Sequence, residues 1–166
     1  EYEFRNRTGE TLRKEAEAKS WEERKERLAD AKEEIQKAVK ELKELKRAES
    51  EVSAPASKSD FSKAAKEQQE AAAQAPKAGE AVKRALETVE KQSPRLAESA
   101  KKLREGGRSE QTAEMIQNAQ KAIKNEDRKV ARKEVDNVIR NVDRQIRDLE
   151  SVSRGLDSDT RSRSAD

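Results

Sequence analysis

Adjacent carboxylates are the commonest groups in this sequence that could perform acid–base chemistry. They occur at Glu22-Glu23, Glu33-Glu34 and Glu126-Asp127. General acid–base catalysis requires burial or a charged neighbour that moves the pKa of one carboxyl group towards neutrality. These pairs lie on polar helix faces or in a turn, where neither condition is met. They therefore indicate a solvated surface and not a catalytic centre.

The other residue types that catalysis and cofactor binding usually need are missing or misplaced. The sequence contains no histidine and no cysteine, which removes the usual general base, a common metal ligand and all thiol chemistry. Gly106-Gly107 follows a helical pattern, whereas glycine loops that bind phosphate follow a strand and open a helix. No segment has the alternating acidic spacing of a calcium loop. We therefore expect no enzyme activity, no cofactor and no metal.

Basic residues near the C-terminal end could bind phosphate. Seven of them fall within one predicted helix: Arg128, Lys129, Arg132, Lys133, Arg140, Arg144 and Arg147. Such residues can line a face that contacts a nucleic-acid backbone. However, acidic residues interrupt the run, and the helix has no aromatic side chain on which a base could stack. These acidic residues are Glu134, Asp136, Asp143 and Asp148. We therefore expect no specific nucleic-acid partner.

The composition indicates long, thin helices. Of the 166 residues, 44% are charged, 31% are hydrophobic and 2% are aromatic, whereas ordinary globular domains are about 45–50% apolar. The 38 basic and 35 acidic residues are interleaved, so the net charge of +3 creates no field of one sign. No apolar run approaches the ~18 residues that a membrane span requires. These features predict an all-α fold, a cytoplasmic location and no membrane partner.

A helical hairpin from Ser109 to Arg154 is the clearest tertiary signal. Apolar residues recur at helical spacing on both sides of the polar turn Asn125-Glu126-Asp127. The first stripe contains Met115, Ile116, Ala119, Ala122 and Ile123, and the second contains Ala131, Val135, Val138, Val142, Ile146, Leu149 and Val152. Two such stripes predict antiparallel helices that need a third helix to cover them. Val82 to Leu103 supplies that helix, with Gly106-Gly107 as the turn, which predicts a three-helix bundle.

A heptad pattern occupies the N-terminal part of the chain. Ser20-Trp21-Glu22-Glu23 has the form of a capping box, which starts or renews a helix. Apolar residues then fill a narrow seam, at Trp21, Leu28, Ile35 and Leu42 and at Ala31, Ala38 and Leu45. The seam requires one partner helix, within the chain or on another copy. The candidate partner-binding residues are Trp21, Leu28, Ile35, Leu42 and Leu45.

Composition and proline positions divide the chain into five parts. Residues 1–19 are a lead-in, in which Glu1 to Arg5 alternates like a strand that either ends an upstream β-domain or is frayed or helical here. Residues 20–50 form the heptad helix, and the Ser-, Ala- and Pro-containing residues 51–61 form a linker. Residues 62–154 form the bundle, with interruptions expected at Pro76 and Pro94. Residues 155–166 form a disordered tail after Gly155.

The order of these elements resembles the C-terminal end of the DnaK-type heat-shock chaperones. In that family a last β-strand and a Thr-Gly turn lead into a helical lid that ends in a three-helix bundle. Here Tyr2-Glu3-Phe4 and Thr8-Gly9-Glu10 are similar to the strand and turn. The stretch from Leu96 to Gly106 is similar to the end of the lid helix, and Ile116 to Asp127 is similar to the next helix and its turn.

The resemblance implies a non-catalytic lid or interaction segment that restricts access to a neighbouring peptide site. It carries no family functional residue onto this chain, because the nucleotide-binding domain and the peptide-binding sandwich lie outside the matching stretch. The alternative is a structural coiled-coil or helical-bundle protein that acts by self-association or by binding a partner helix. In both hypotheses the partner is a protein or peptide.

Overall fold

The chain is helical almost throughout in a computed structural model. The structure describes the backbone of residues 2–165 and the side chains of residues 9–161. The helices are α1 (Tyr2–Ser57), α2 (Phe61–Gln92), α3 (Ala97–Glu105), α4 (Arg108–Lys124) and α5 (Arg128–Ala165). The described residues contain no strand, and the predicted all-α fold is confirmed.

The four long helices form an antiparallel bundle. Helix α1 packs against α2 and α5, and α4 packs against the same two helices from the opposite corner. Ion pairs from Lys32 to Asp157 and from Lys46 to Asp143 show that α1 and α5 run in opposite directions. Short connections make consecutive helices antiparallel neighbours. The short helix α3 packs on α2 and leads the chain into α4.

The position of α1 differs from the sequence prediction. A three-helix bundle over residues 62–154 was expected, with the heptad helix of residues 20–50 as a separate element outside it. Instead, α1 is a fourth wall of the bundle, and its seam residue Leu42 shares one buried cluster with Leu86 of α2 and Val142 of α5. The loop of residues 58–60 is short enough to return α2 along α1, so the seam finds its partners within the chain.

The predicted linker over residues 51–61 is mostly helix. Helix α1 continues through Pro55 to Ser57, which leaves only residues 58–60 outside a helix. A proline removes one backbone hydrogen bond from a helix, so packing must compensate. Here Val52 and Ala56 are completely buried, in a second cluster with Ala64 and Ala131. That packing holds the last turns of α1 in place.

Both chain ends are helical, which matches one of the two alternatives for the N-terminal residues and differs from the disordered C-terminal tail that was predicted. The backbone from Tyr2 to Thr8 is helical and not a strand, while Glu1 lies outside the described residues. A lone strand would leave its backbone groups unpaired, whereas a helix pairs them internally. The predicted disordered tail over residues 155–166 is helical as far as Ala165, and Leu156 is only 1% exposed. The last residue, Asp166, is not described.

Pro76 and Gly155 were predicted to interrupt or end a helix, but both lie inside continuous helices. Helix α2 continues through Pro76. Helix α5 likewise continues through Gly155, where a Cβ atom would lie 3.0 Å from Leu96 Cδ2. This glycine therefore makes room for a leucine from the α2–α3 connection and does not end the helix. The break at Pro94 is confirmed, because α2 ends at Gln92 and Ser93 is extended.

The α1–α2 and α4–α5 turns share one arrangement. Ser59 and Glu126 both have a left-handed backbone, with φ of 60° and 55°. The following aspartate amide donates back to the preceding helix, from Asp60 to Pro55 O and from Asp127 to Ala122 O, both at 2.9 Å. This is the Schellman pattern. The same aspartates then cap the next helices, since Asp60 Oδ1 and Asp127 Oδ1 accept bonds from the amides three residues later.

The left-handed backbone at Glu126 predicts that glycine is the better residue there. A left-handed conformation costs a residue with a Cβ atom roughly 1–2 kcal/mol, so Glu126→Gly should raise the free energy of unfolding by about 1 kcal/mol in urea titrations. The matched control is Glu114→Gly inside α4, which should lower stability by about 1 kcal/mol. A loss of stability in Glu126→Gly would contradict this account of the turn.

Candidate interaction surfaces

Four of the five predicted partner-binding residues lie inside the bundle. Leu28, Ile35, Leu42 and Leu45 are 1–2% exposed and belong to the cluster that α1 shares with α2 and α5. A second chain could reach them only if the bundle opened. The fifth residue, Trp21, is half-buried. A role for these five residues in binding a separate partner stays a prediction, while the four buried residues form part of the core.

The N-terminal part of α1 projects beyond this packing. In the stretch of residues 9–27, here called the arm, every side chain except that of Trp21 is exposed. From Gly9 onward, Leu28 is the first buried residue of α1. The arm contains Leu12, which is 60% exposed and is one of two large apolar side chains exposed in the described part of the chain. The arm is therefore the most accessible element that a neighbouring protein could contact.

A groove of about 720 Å³ runs between α2 and α4. Its floor is lined with small residues, including Ala72, Ala75, Gly79 and Ala113. Charged side chains stand at its edges, where Arg108 lies 3.5 Å from Asp148 and Arg104 donates to Glu90 at 2.8 Å. Small side chains allow another helix to approach closely, while the mixed charges do not select one sign of partner.

A buried polar network joins α4 to α5 beside this groove. Thr112 Oγ1 accepts bonds from Asn141 Nδ2 at 2.7 Å and from Gln145 Nε2 at 3.0 Å. Asn141 also donates to the carbonyl oxygen of Arg108 at 3.0 Å. Because Thr112, Asn141 and Gln145 are buried, a shift of one helix along the other would leave donors unpaired. The network therefore fixes the register of the hairpin.

Glu49 and Gln68 form a buried pair between α1 and α2, and both are 0% exposed. Gln68 Nε2 donates to Glu49 Oε2 at 2.9 Å. Glu49 Oε1 and Gln68 Oε1 have no hydrogen-bond partner among the described residues. Burial raises the pKa of Glu49 from its ordinary value of 4.5 to about 7. A proton on this carboxyl group would supply the donor that the two unpaired oxygens lack.

This pair was missed in the sequence, although the heptad spacing contained the signal. Continuing the series Trp21, Leu28, Ile35 and Leu42 by one repeat reaches Glu49. The seam position thus predicts burial, whereas the residue type suggested a solvated face. Gln68 had no comparable signal, because its environment depends on how α2 pairs with α1.

Three carboxylates at the same end of the bundle form an acidic cluster. Oxygen atoms of Glu51, Glu67 and Glu70 lie within 4.8 Å of one another. Partial burial and the carboxylates of Glu70 and Glu51 raise the pKa of Glu67. Glu51 and Glu70 are exposed and Glu67 is half-buried. With no buried ligand aimed at it, the cluster is a solvated acidic patch.

Comparisons with protein-family models, curated proteins and solved structures find no match to this chain. None of the described helices has an apolar stretch long enough to span a membrane.

The Glu49–Gln68 pair predicts a stability that falls as the pH rises. Because the folded state holds the Glu49 proton more tightly than the unfolded chain, it binds more protons between pH 4.5 and about 7. The free energy of unfolding should therefore fall across this window by about 3 kcal/mol and change little above it. Urea titrations at pH 5 and pH 8 measure this difference.

The matched variants are Glu49→Gln, which places a neutral isostere in the pair, and Glu44→Gln, which neutralises an exposed glutamate of the same helix. Glu49→Gln should remove most of the difference between pH 5 and pH 8 and should be more stable than the unaltered protein at pH 8. Glu44→Gln should keep the difference. An unchanged difference in Glu49→Gln would show that Glu49 is not the group that titrates.

Proposed function

We propose that this chain is a non-catalytic helical lid or interaction segment of a DnaK-like molecular chaperone, which restricts access to a neighbouring peptide site. The observation that carries the proposal is the continuity of α1. This single helix of 56 residues includes both the exposed arm and one wall of the bundle. A rigid helix of this kind can hold a bundle at a fixed position relative to whatever adjoins the arm.

The lid proposal requires a continuous helix between the arm and the bundle. The linker predicted over residues 51–61 suggested an interruption, whereas only residues 58–60 of that stretch lie outside a helix. Helix α1 instead reaches Ser57. The arm also passes through Gly9 and Ser20 without a break. The bundle then encloses its own apolar seam, so the whole unit can move as one body about the arm.

The lid proposal predicts faster release of peptide when the lid is removed or uncoupled. In the full-length polypeptide, deletion of residues 1–166 should increase the dissociation rate of a fluorescent peptide by about tenfold or more, because access would no longer be gated. Ala18→Pro in the exposed arm should increase the rate partly, since proline kinks a helix interior. Stopped-flow fluorescence measures both rates.

Ala18→Ser is the matched control, because it alters the same exposed position without removing a backbone donor. Its dissociation rate should equal that of the unaltered protein. Equal rates in the deletion, in Ala18→Pro and in Ala18→Ser would contradict the lid proposal. A full-length polypeptide with no β-sandwich encoded before Glu1 would also contradict it.

The alternative function is that of a helical-bundle protein that acts by self-association or by binding a partner helix. The groove between α2 and α4 favours it, since Ala75, Gly79 and Ala113 leave room for a close helix. The seam of α1 favours it less, because α2 and α5 already cover that seam. A mass that rises with protein concentration in light scattering would support this alternative over the lid.

A further inference from the structure

The most exposed charged residues on the outer face of α5 are basic. From Arg128 to Arg161, all 9 basic residues of this helix are exposed, whereas its 7 acidic residues are half-buried. The acidic residues that interrupt the basic run in the sequence therefore do not interrupt it equally on the surface. Partial burial of these acidic residues therefore weakens the objection to phosphate binding by this helix that their positions in the sequence raised.

Neighbouring elements hold most of these acidic side chains in ion pairs. Asp143 lies 2.8 Å from Lys46 of α1, and Asp157 lies 2.7 Å from Lys32 of the same helix. Asp148 lies 3.5 Å from Arg108 of α4. Asp159 pairs with Arg95 in the α2–α3 connection. Inter-helix pairing thus neutralises the acids at the edges of α5.

The exposed cations include a straight row along α5. We call Lys133, Arg140, Arg144, Arg147, Arg154 and Arg161 the basic stripe. Their spacings of three, four or seven residues keep them on one side of the helix. At a rise of 1.5 Å per residue the stripe is about 42 Å long. Exposed Ser151 and Ser158 lie within it, and the half-buried acidic residues Asp136, Asp143, Glu150 and Asp157 follow the same spacing along its edge.

We propose that the basic stripe binds the phosphate backbone of a nucleic-acid duplex without sequence preference. Arginine predominates in the stripe, and its planar guanidinium group matches phosphate oxygens with two parallel hydrogen bonds. A rigid row of about 42 Å spans roughly twelve base pairs, so several guanidinium groups can reach phosphates together. This inference goes beyond the proposed lid function and does not depend on it.

The composition of the stripe favours a duplex over other anionic partners. Protein interfaces usually require a desolvated apolar or aromatic centre, and the only large apolar side chain exposed on the described part of α5 is Val130, near its start. Membrane-surface helices likewise insert apolar side chains. Single strands are usually held by stacking on aromatic rings, which α5 lacks. Phosphate contact alone can bind a duplex through counterion release.

The test measures fluorescence anisotropy of a labelled 20-base-pair DNA duplex titrated with the 166-residue chain over a series of salt concentrations. Binding should weaken steeply with salt, with a slope of about −0.9 for each phosphate contact. The triple variant Arg140→Gln, Arg144→Gln and Arg147→Gln should make that slope shallower by about three. It should also weaken binding at low salt by at least about tenfold.

The matched control replaces three exposed cations of α2, which lies diagonally opposite α5: Lys66→Gln, Lys77→Gln and Arg84→Gln. This variant removes the same charge and should keep at least half of the affinity. Equal weakening by the two triple variants would overturn the proposal in favour of general charge attraction. So would the absence of salt-dependent binding to the duplex.

Competition experiments distinguish a nucleic-acid duplex from other polyanions as the ligand of the basic stripe. A single strand of equal phosphate number, polyglutamate and vesicles containing phosphatidylserine should each compete more weakly than unlabelled duplex. Tighter binding to polyglutamate or to the vesicles would overturn the duplex proposal and assign the stripe to an acidic protein or a membrane surface. Circular dichroism of each variant confirms that the helices are retained, because all six replaced side chains are exposed.

Discussion

The rest of the structure depends on the burial of the α1 seam against α2 and α5. The seam is narrow, and leucine and isoleucine alternate along it with completely buried alanines such as Ala31 and Ala38. These small residues let the helices approach closely, so a chain with few aromatic residues can still enclose a core. Because the seam is filled within the chain, α1 is fixed as a wall of the bundle. The exposed arm is the part of α1 that extends past this packing.

The same helix packing determines which charged side chains are paired between helices and which are exposed. Helices that meet at a seam bring the residues beside the seam into contact, and there Lys46 meets Asp143 and Lys32 meets Asp157. Exposed ion pairs contribute little to stability, but they decide which charges remain on the outside. On α5 the fully exposed charged residues are basic, and the acidic residues are half-buried. A nearly neutral chain thus acquires a face with an excess of basic residues, which composition alone does not show.

The sequence predicted the local elements better than their assembly. Apolar spacing identified the hairpin from Ser109 to Arg154, and the turns at Pro94 and at Asn125 to Asp127 lie where the sequence indicates. The predictions from the sequence were wrong where a tertiary contact determines the local structure. Gly155 accommodates Leu96 inside a helix, and residues 51–57 are helical because α2 and α5 cover them. Glu49 occupies a seam position, which favours burial, but glutamate is usually an exposed residue. Its burial is therefore evident only from the packed helices.

Hydrogen exchange along α1, measured at two protein concentrations, tests whether α2 and α5 of the same chain cover the α1 seam. We expect weak protection in the arm, strong protection from Leu28 onward and no change with concentration, because these contacts are intramolecular. Protection that extends through the arm and increases with concentration would contradict this intramolecular packing, since the seam would then be covered by another copy.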